Sequence, residues 1–209
     1  NKNFSKNEKI IHCKSLYSDI EKKLSLKNVK TIIHFASVIP KSFDDSNYRL
    51  FDSNIKMMNN LYKFSVNNNL KRFIYISSFG SMDHPKILDI KDFYTLSKIT
   101  GEHFCSMMNF KGIHAVSLRI SSPYGEYSKS KNVLNIFINN ALKNEDIMVY
   151  GKGTREQNFT YAGDVSNALE LILNKKKVSV TYDIASNQNI SMLNLAILIK
   201  SITKSKSRI

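Results

Sequence analysis

Cysteine is nearly absent. Cys13 and Cys105 are the only two in 209 residues, too few for a disulfide framework or a thiolate metal site, and both are read as buried, reduced thiols. The five histidines show no ligand spacing, so no metal is expected. No apolar run approaches the roughly 18 residues of a membrane span. The first ten residues are polar throughout and lack the apolar stretch of a signal peptide. These absences predict a cytoplasmic protein without a membrane partner. Acidic residues are also scarce, 17 against 31 Lys and Arg, which leaves a net charge of +14. A basic field attracts phosphates. Here, however, the lysines are scattered among asparagines and isoleucines, and only residues 175–177 and 204–208 are locally dense. No zinc spacing or RNA-reading aromatic motif accompanies the charge, so a nucleic-acid partner is not expected.

What is present is enough apolar residue, 42% of the chain, for one sizeable core or one core plus a small lobe. Residues 9–13 predict a short strand and 17–24 a helix. Residues 29–36 form a near-continuous apolar run, the mark of a strand buried on both faces of a parallel sheet. A helix is predicted over about 54–67, a strand over 73–76 and a helix from Tyr94 to Phe110. Further strands are expected at 114–120, 146–150 and 178–185, and helices at 132–143, 165–173 and 191–202. Strands alternating with helices at these distances argue for β-α-β units around a parallel sheet. Ligands of such sheets bind at the carboxyl ends of the strands.

The chemistry is concentrated in FIYISSFGSMDHPKILDIKDFYTLSKITGE, residues 73–102. A strand ends in Ser77-Ser78, a polar loop follows, and a helix carries Tyr94 and Lys98. Residues four apart share a helix face, so the Lys98 ammonium lies beside the Tyr94 phenol and is expected to favour its phenolate. A free phenol titrates near pH ~10 and needs such help to act as a base near neutrality. Ser78 could hydrogen-bond the same substrate oxygen. Together these groups suit removal of a proton from an alcohol while a hydride leaves its carbon.

This stretch resembles the extended short-chain dehydrogenase/reductases, in particular their NAD-dependent epimerase/dehydratase branch. The resemblance runs from about residue 9 to 203. It implies a Rossmann-like, doubly wound parallel sheet, incomplete at its amino end, over residues 1–125. Residues 126–209 would be mainly a small α/β substrate lobe, with elements free to return to the main sheet. By the same resemblance His34-Phe35-Ala36-Ser37 is the turn that passes the cofactor, and Asn54 braces the loops near it, although helix capping by Ser53 or Asn54 explains that residue equally. Ser77, Ser121, Tyr94 and Lys98 join the cofactor contacts, with NAD expected and NADP not excluded. Tyr94, Lys98 and Ser78 are the implied catalytic group, acting on a nucleotide sugar in a homodimer. Ser122 stands where the family's LRxxNxYG element has its substrate-touching asparagine. Gly151 to Tyr161 resembles GxGxxxRDFxxV, with Gln157-Asn158 in place of Arg-Asp. Arg155, two residues earlier, could reach a diphosphate or be a solvated charge. Asp164 reads as a helix cap.

The family's amino-terminal Gly-rich turn is missing from the seven dispersed glycines. The chain is then a fragment or a degenerate member, a fragment being the simpler reading. Phe79 and Gly80 occupy the places where the family's 4,6-dehydratases carry an acidic pair, which argues against dehydration. The first reading is an NAD-dependent nucleotide-sugar epimerase of the UDP-glucose 4-epimerase kind. The alternatives are a related reductase or dehydratase, a non-catalytic nucleotide- or RNA-binding relative, and a structural subunit pairing through the Asn54 and Tyr94 helices.

Overall fold

The computed structural model describes residues 29–42, 45–81, 90, 92–128, 132–175 and 180–209. The expected strand at 9–13 and helix at 17–24 lie outside them, as does Cys13. The elements are β1 (Thr31–His34), α1 (Tyr48–Asn67), β2 (Arg72–Ser78), α2 (Phe93–Phe110), β3 (His114–Ile120), β4 (Ser122–Tyr124), α3 (Val133–Lys143), β5 (Glu156–Gln157), β6 (Phe159–Tyr161), α4 (Ala162–Asn174), β7 (Thr181–Ile184), β8 (Ile190–Ser191) and α5 (Met192–Thr203). A four-stranded sheet runs in the order β1-β2-β3-β7, with β1/β2 and β3/β7 parallel. This is the expected Rossmann-like α/β fold.

The chain parts into two compact units, one comprising residues to Tyr75 together with Lys91–Ala115, the other Ile76–Ile90 with Val116–Ile209. In the first, Met58 and Leu61 of α1, Phe73 and Tyr75 of β2 and Cys105 and Met108 of α2 form the core. Cys105 is buried and outside any disulfide, as the scarcity of cysteine suggested. In the second, Leu134, Phe137 and Ala141 of α3 pack with Met192, Leu195 and Ile199 of α5 and with Ile147.

Several boundaries differ from expectation for identifiable reasons. α1 starts at Tyr48, not near Asn54, because the Asn47 side chain accepts the Leu50 N–H and caps it there. Neither Ser53 nor Asn54 is therefore a cap. Residues 146–150 are not a strand. Their alternation is real, Ile147 being buried and Met148 and Tyr150 exposed, but Ile147 N–H donates to Arg208 O instead of to a ladder. Asp164 lies in the first turn of α4, whose cap position is Tyr161, so it favours the helix dipole and does not cap. Gly151 and Gly153, at φ 62° and 65°, make a turn that needs the left-handed region. Among the described residues no helix is long and apolar enough to cross a membrane, and no group of His, Cys, Asp and Glu could hold a metal ion.

Candidate active site

The entry to α2 is fixed before its functional side chains begin. Asp92 Oδ1 accepts the Thr95 N–H at 2.8 Å and the Ser46 hydroxyl at 3.0 Å, while Ser46 Oγ accepts the Tyr94 N–H at 2.8 Å. Burial pushes the Asp92 carboxyl up, but the hydrogen bonds from Thr95, Ser46 and the Tyr94 backbone outweigh it and hold the group below the usual carboxylate range.

One turn separates Tyr94 from Lys98, which is 4% exposed. Lys98 Nζ stands 5.6 Å from the Tyr94 ring centroid and 5.2 Å from that of Tyr75. Loss of hydration brings the ammonium down to about 8. The phenol of Tyr94 goes the other way, up to about 12, because of burial first and the negative charge of Asp92 second. The spacing thus brings the two groups together as expected, but the predicted lowering of the phenol is not found, because burial sets its value. His34, the last residue of β1, is brought down to about 4 by burial and then by the Lys98 charge, so it is neutral at pH 7. Its ring stacks on Tyr75, centroids 5.8 Å apart at 25°.

Asn54 connects the turn after β1 to α2. Its Oδ1 accepts the Val38 N–H at 2.7 Å, and its Nδ2 donates to Val38 O and to Ser97 Oγ, each at 3.1 Å. Ser97 Oγ donates in turn to Tyr94 O at 2.7 Å. In that turn Phe35 is 57% exposed, Ala36 is exposed and Ser37 is half-buried. An open cavity of about 300 Å³ adjoins it, lined by Val38, Lys41, Asp45, Arg49 and Ser53 among others.

The second unit carries the remaining expected residues. Ser77 is buried and Ser78 half-buried at the end of β2. Ser78 Oγ accepts the Gly80 N–H at 3.3 Å, and Ser78 O accepts the Ser81 hydroxyl at 2.6 Å. The Ser121 hydroxyl is committed to the fold, shared between Asn158 Oδ1 at 2.9 Å and the Thr160 hydroxyl. Gln157 Nε2 donates to Ser122 Oγ, so two of the residues that depart from the family pattern meet. Asn158 Nδ2 donates to Ser186 O, Gln188 O and Asn189 Oδ1, while its Oδ1 also accepts the Ser186 N–H. Arg155 is exposed, and its carbonyl accepts the Met192 N–H at 2.9 Å.

Sequence reasoning treated Tyr75 as a strand former only and passed over Ser46, Asp92 and Ser97. Asp92 had a signal, an acidic residue just ahead of a helical pattern. Tyr75 had none, since its partners are 23 and 26 residues away in the sequence, at Lys98 and Gly101.

Comparisons with known proteins give the family and the fold. A Methanocaldococcus jannaschii protein described provisionally as a UDP-glucose 4-epimerase is 28% identical over 190 residues, 84% of this chain and 62% of its own. The dTDP-D-glucose 4,6-dehydratase of Dictyostelium discoideum is 26% identical over 81% of this chain and 44% of its own. The chain thus spans less than two thirds of the length of these relatives. Its fold matches that of UDP-glucuronic acid 4-epimerase from Bacillus cereus, solved with UDP-glucuronic acid and NAD, with a TM-score of 0.75 at 21% identity, over 88% of this chain and 62% of that one. A family model covering residues 1–185 also matches, and the chain belongs to the NAD dependent epimerase/dehydratase family.

Proposed function

We propose that the chain carries the proton-transfer site of an NAD-dependent nucleotide-sugar epimerase. The observation that carries this reading is the pairing of the half-buried Tyr94 with the buried Lys98 on one face of α2. The donor set fits a nicotinamide cofactor: a phenol and an ammonium suit a pair of ribose hydroxyls, and the exposed Ala36 leaves the backbone after β1 open to close approach. Bound NAD supplies the hydride acceptor and, while oxidised, a positive charge that favours a nearby phenolate.

The chain's own part is to hold and move the proton. With its phenol pushed up to about 12 by burial, Tyr94 rests protonated at pH 7 in the chain alone. In turnover its phenolate would take the proton of the sugar hydroxyl as the hydride leaves and return it to the keto oxygen when the hydride comes back. Lys98, brought down to about 8 by burial, keeps its charge at pH 7 and supports the phenolate when it forms. Ser78 orients the sugar hydroxyl. Directly after Ser78 stand Phe79 and Gly80, in a 3₁₀ turn, in the places of the dehydratases' acidic pair, which supports epimerisation over dehydration. By the family resemblance, Phe35, Ala36, Ser37 and Asn54 in the first unit and Ser77 and Ser121 in the second are assigned to the cofactor, and Ser122 and Arg155 in the second to the nucleotide sugar.

The test is turnover of a UDP-hexose panel with NAD, followed by separation of the epimers. Tyr94→Phe should lower kcat by at least a hundredfold while NAD binding stays within a few-fold. Equal turnover in the wild type and Tyr94→Phe would overturn the assignment.

A further inference from the structure

Lysine is a poor choice for a fixed buried cation. Its stem has four rotatable bonds, and an ammonium deprived of water tends to give up its proton. Lys98 is 4% exposed and still has to sit beside Tyr94. Something must hold its head without neutralising it. The parallel register pairs His34 of β1 with Tyr75 of β2, and the two rings stack. Tyr75 is 4% exposed, and burial, followed by the charges of Cys105, Tyr94 and Glu102, pushes its phenol far above the ordinary value, so the ring stays neutral. Its face lies 5.2 Å from Lys98 Nζ, within cation–π range. One turn beyond Lys98 the helix has Gly101. A Cβ built there would fall 2.4 Å from Tyr75 Cζ and from its hydroxyl oxygen, and 2.5 Å from Cε1. The ring occupies the space a side chain would take.

We propose that Tyr75, seated by Gly101, is a positioning residue whose ring face holds the Lys98 ammonium beside Tyr94. The inference rests on the reading of Lys98 as part of the site. A ring does this better than a carboxylate, which would raise the lysine above its ordinary range and bind it in an ion pair. The ring instead supplies a partial negative face, which steers the head while leaving the charge for the substrate side. Of the other titratable groups around the pair, His34 on β1 is neutral and Tyr94 on the same helix is a protonated phenol, while Cys105 and Glu102, further along that helix, act on Tyr75 and push its phenol up.

The test reads Lys98 directly, through the pH titration of its Cε and Nζ resonances in the full chain labelled at lysine, with Lys98→Arg giving the assignment. Tyr75→Phe should leave the midpoint within a few tenths of a unit. Tyr75→Leu should lower it by about one unit, the size of a desolvated cation–π contact. Because a leucine there could unfold the core, a second series keeps the shape: phenylalanine at 75 carrying one, two or three ring fluorines should lower the midpoint stepwise. The alkaline limb of kcat should move down by the same steps, with KM changing less than kcat. A midpoint unmoved along the fluorine series would overturn the inference. If the wild type turns over no sugar nucleotide, the titration still decides whether Tyr75 holds Lys98, so failure of the activity reading is recognised separately.

Discussion

Replacing Gly101 by alanine sets two effects of opposite sign against each other. In a helix interior the change is ordinarily favourable by ~0.5–1 kcal/mol, since alanine loses less backbone freedom on folding. Against this stands a methyl carbon 2.4 Å from two atoms of Tyr75. The ring cannot withdraw cheaply, because it belongs to a core with Met58, Phe73, Cys105 and Met108, the last two fully buried. Forcing extra volume into such packing costs ~1–3 kcal/mol. The clash should win, leaving Gly101→Ala less stable by ~1–2 kcal/mol. Urea unfolding followed by circular dichroism measures this, provided that the slope with denaturant is unchanged. The decisive arm is the same substitution in a Tyr75→Leu background. Leucine lacks the Cζ and hydroxyl that the methyl meets, so Gly101→Ala should there become stabilising by ~0.5–1 kcal/mol, a coupling of ~2 kcal/mol between the sites. A wild-type background in which Gly101→Ala is neutral or stabilising would refute the reasoning.

Two further outcomes follow from the same unit. His34 has its folded value lowered from 6.5 to about 4, so the unfolded chain takes up the proton first as pH falls; stability present at pH 7 is lost below about 6.5, by ~2 kcal/mol at pH 5. Urea midpoints at pH 7 and 5 should show this loss in the wild type and not in His34→Gln. Asp92→Ala removes the cap of α2 at a cost of ~1 kcal/mol in unfolding free energy. It also removes a charge that raises the Tyr94 phenol, so phenolate absorbance of Tyr94 should develop at lower pH than in the wild type.

The stretch from Phe73 to Glu102 was legible because each signal in it is local. Aromatic and β-branched residues made β2, and the Tyr94–Lys98 spacing made one helix face. The helices expected at 132–143 and 191–202 were legible in the same way, and Asn132 and Ser191, at their predicted starts, are the caps of α3 and α5. The start of α1 was not legible, since Asn47, Ser53 and Asn54 all suit a cap, and only the burial of Leu50 favours the first. The pairs β4/β6 and β5/β8 are two or three residues long, too short for any alternation to show. For Tyr94 and Lys98 the spacing gave proximity but not desolvation. Burial depends on the turn after β1 and on β2, which reach α2 through Asn54, Ser97 and Tyr75.

Asn158 shows how a departure from a family pattern becomes hard to reverse. Its amide nitrogen gives hydrogen bonds towards three oxygens between residues 186 and 189. An aspartate of the same shape, the residue the family motif would have there, can donate to none of them. It would set a negative oxygen against three oxygens that now attract. Returning this one position to the family residue would therefore unfasten the loop unless those partners changed with it. The asparagine and the loop at 186–189 thus form a matched set, and a change at position 158 is a change to the loop as well.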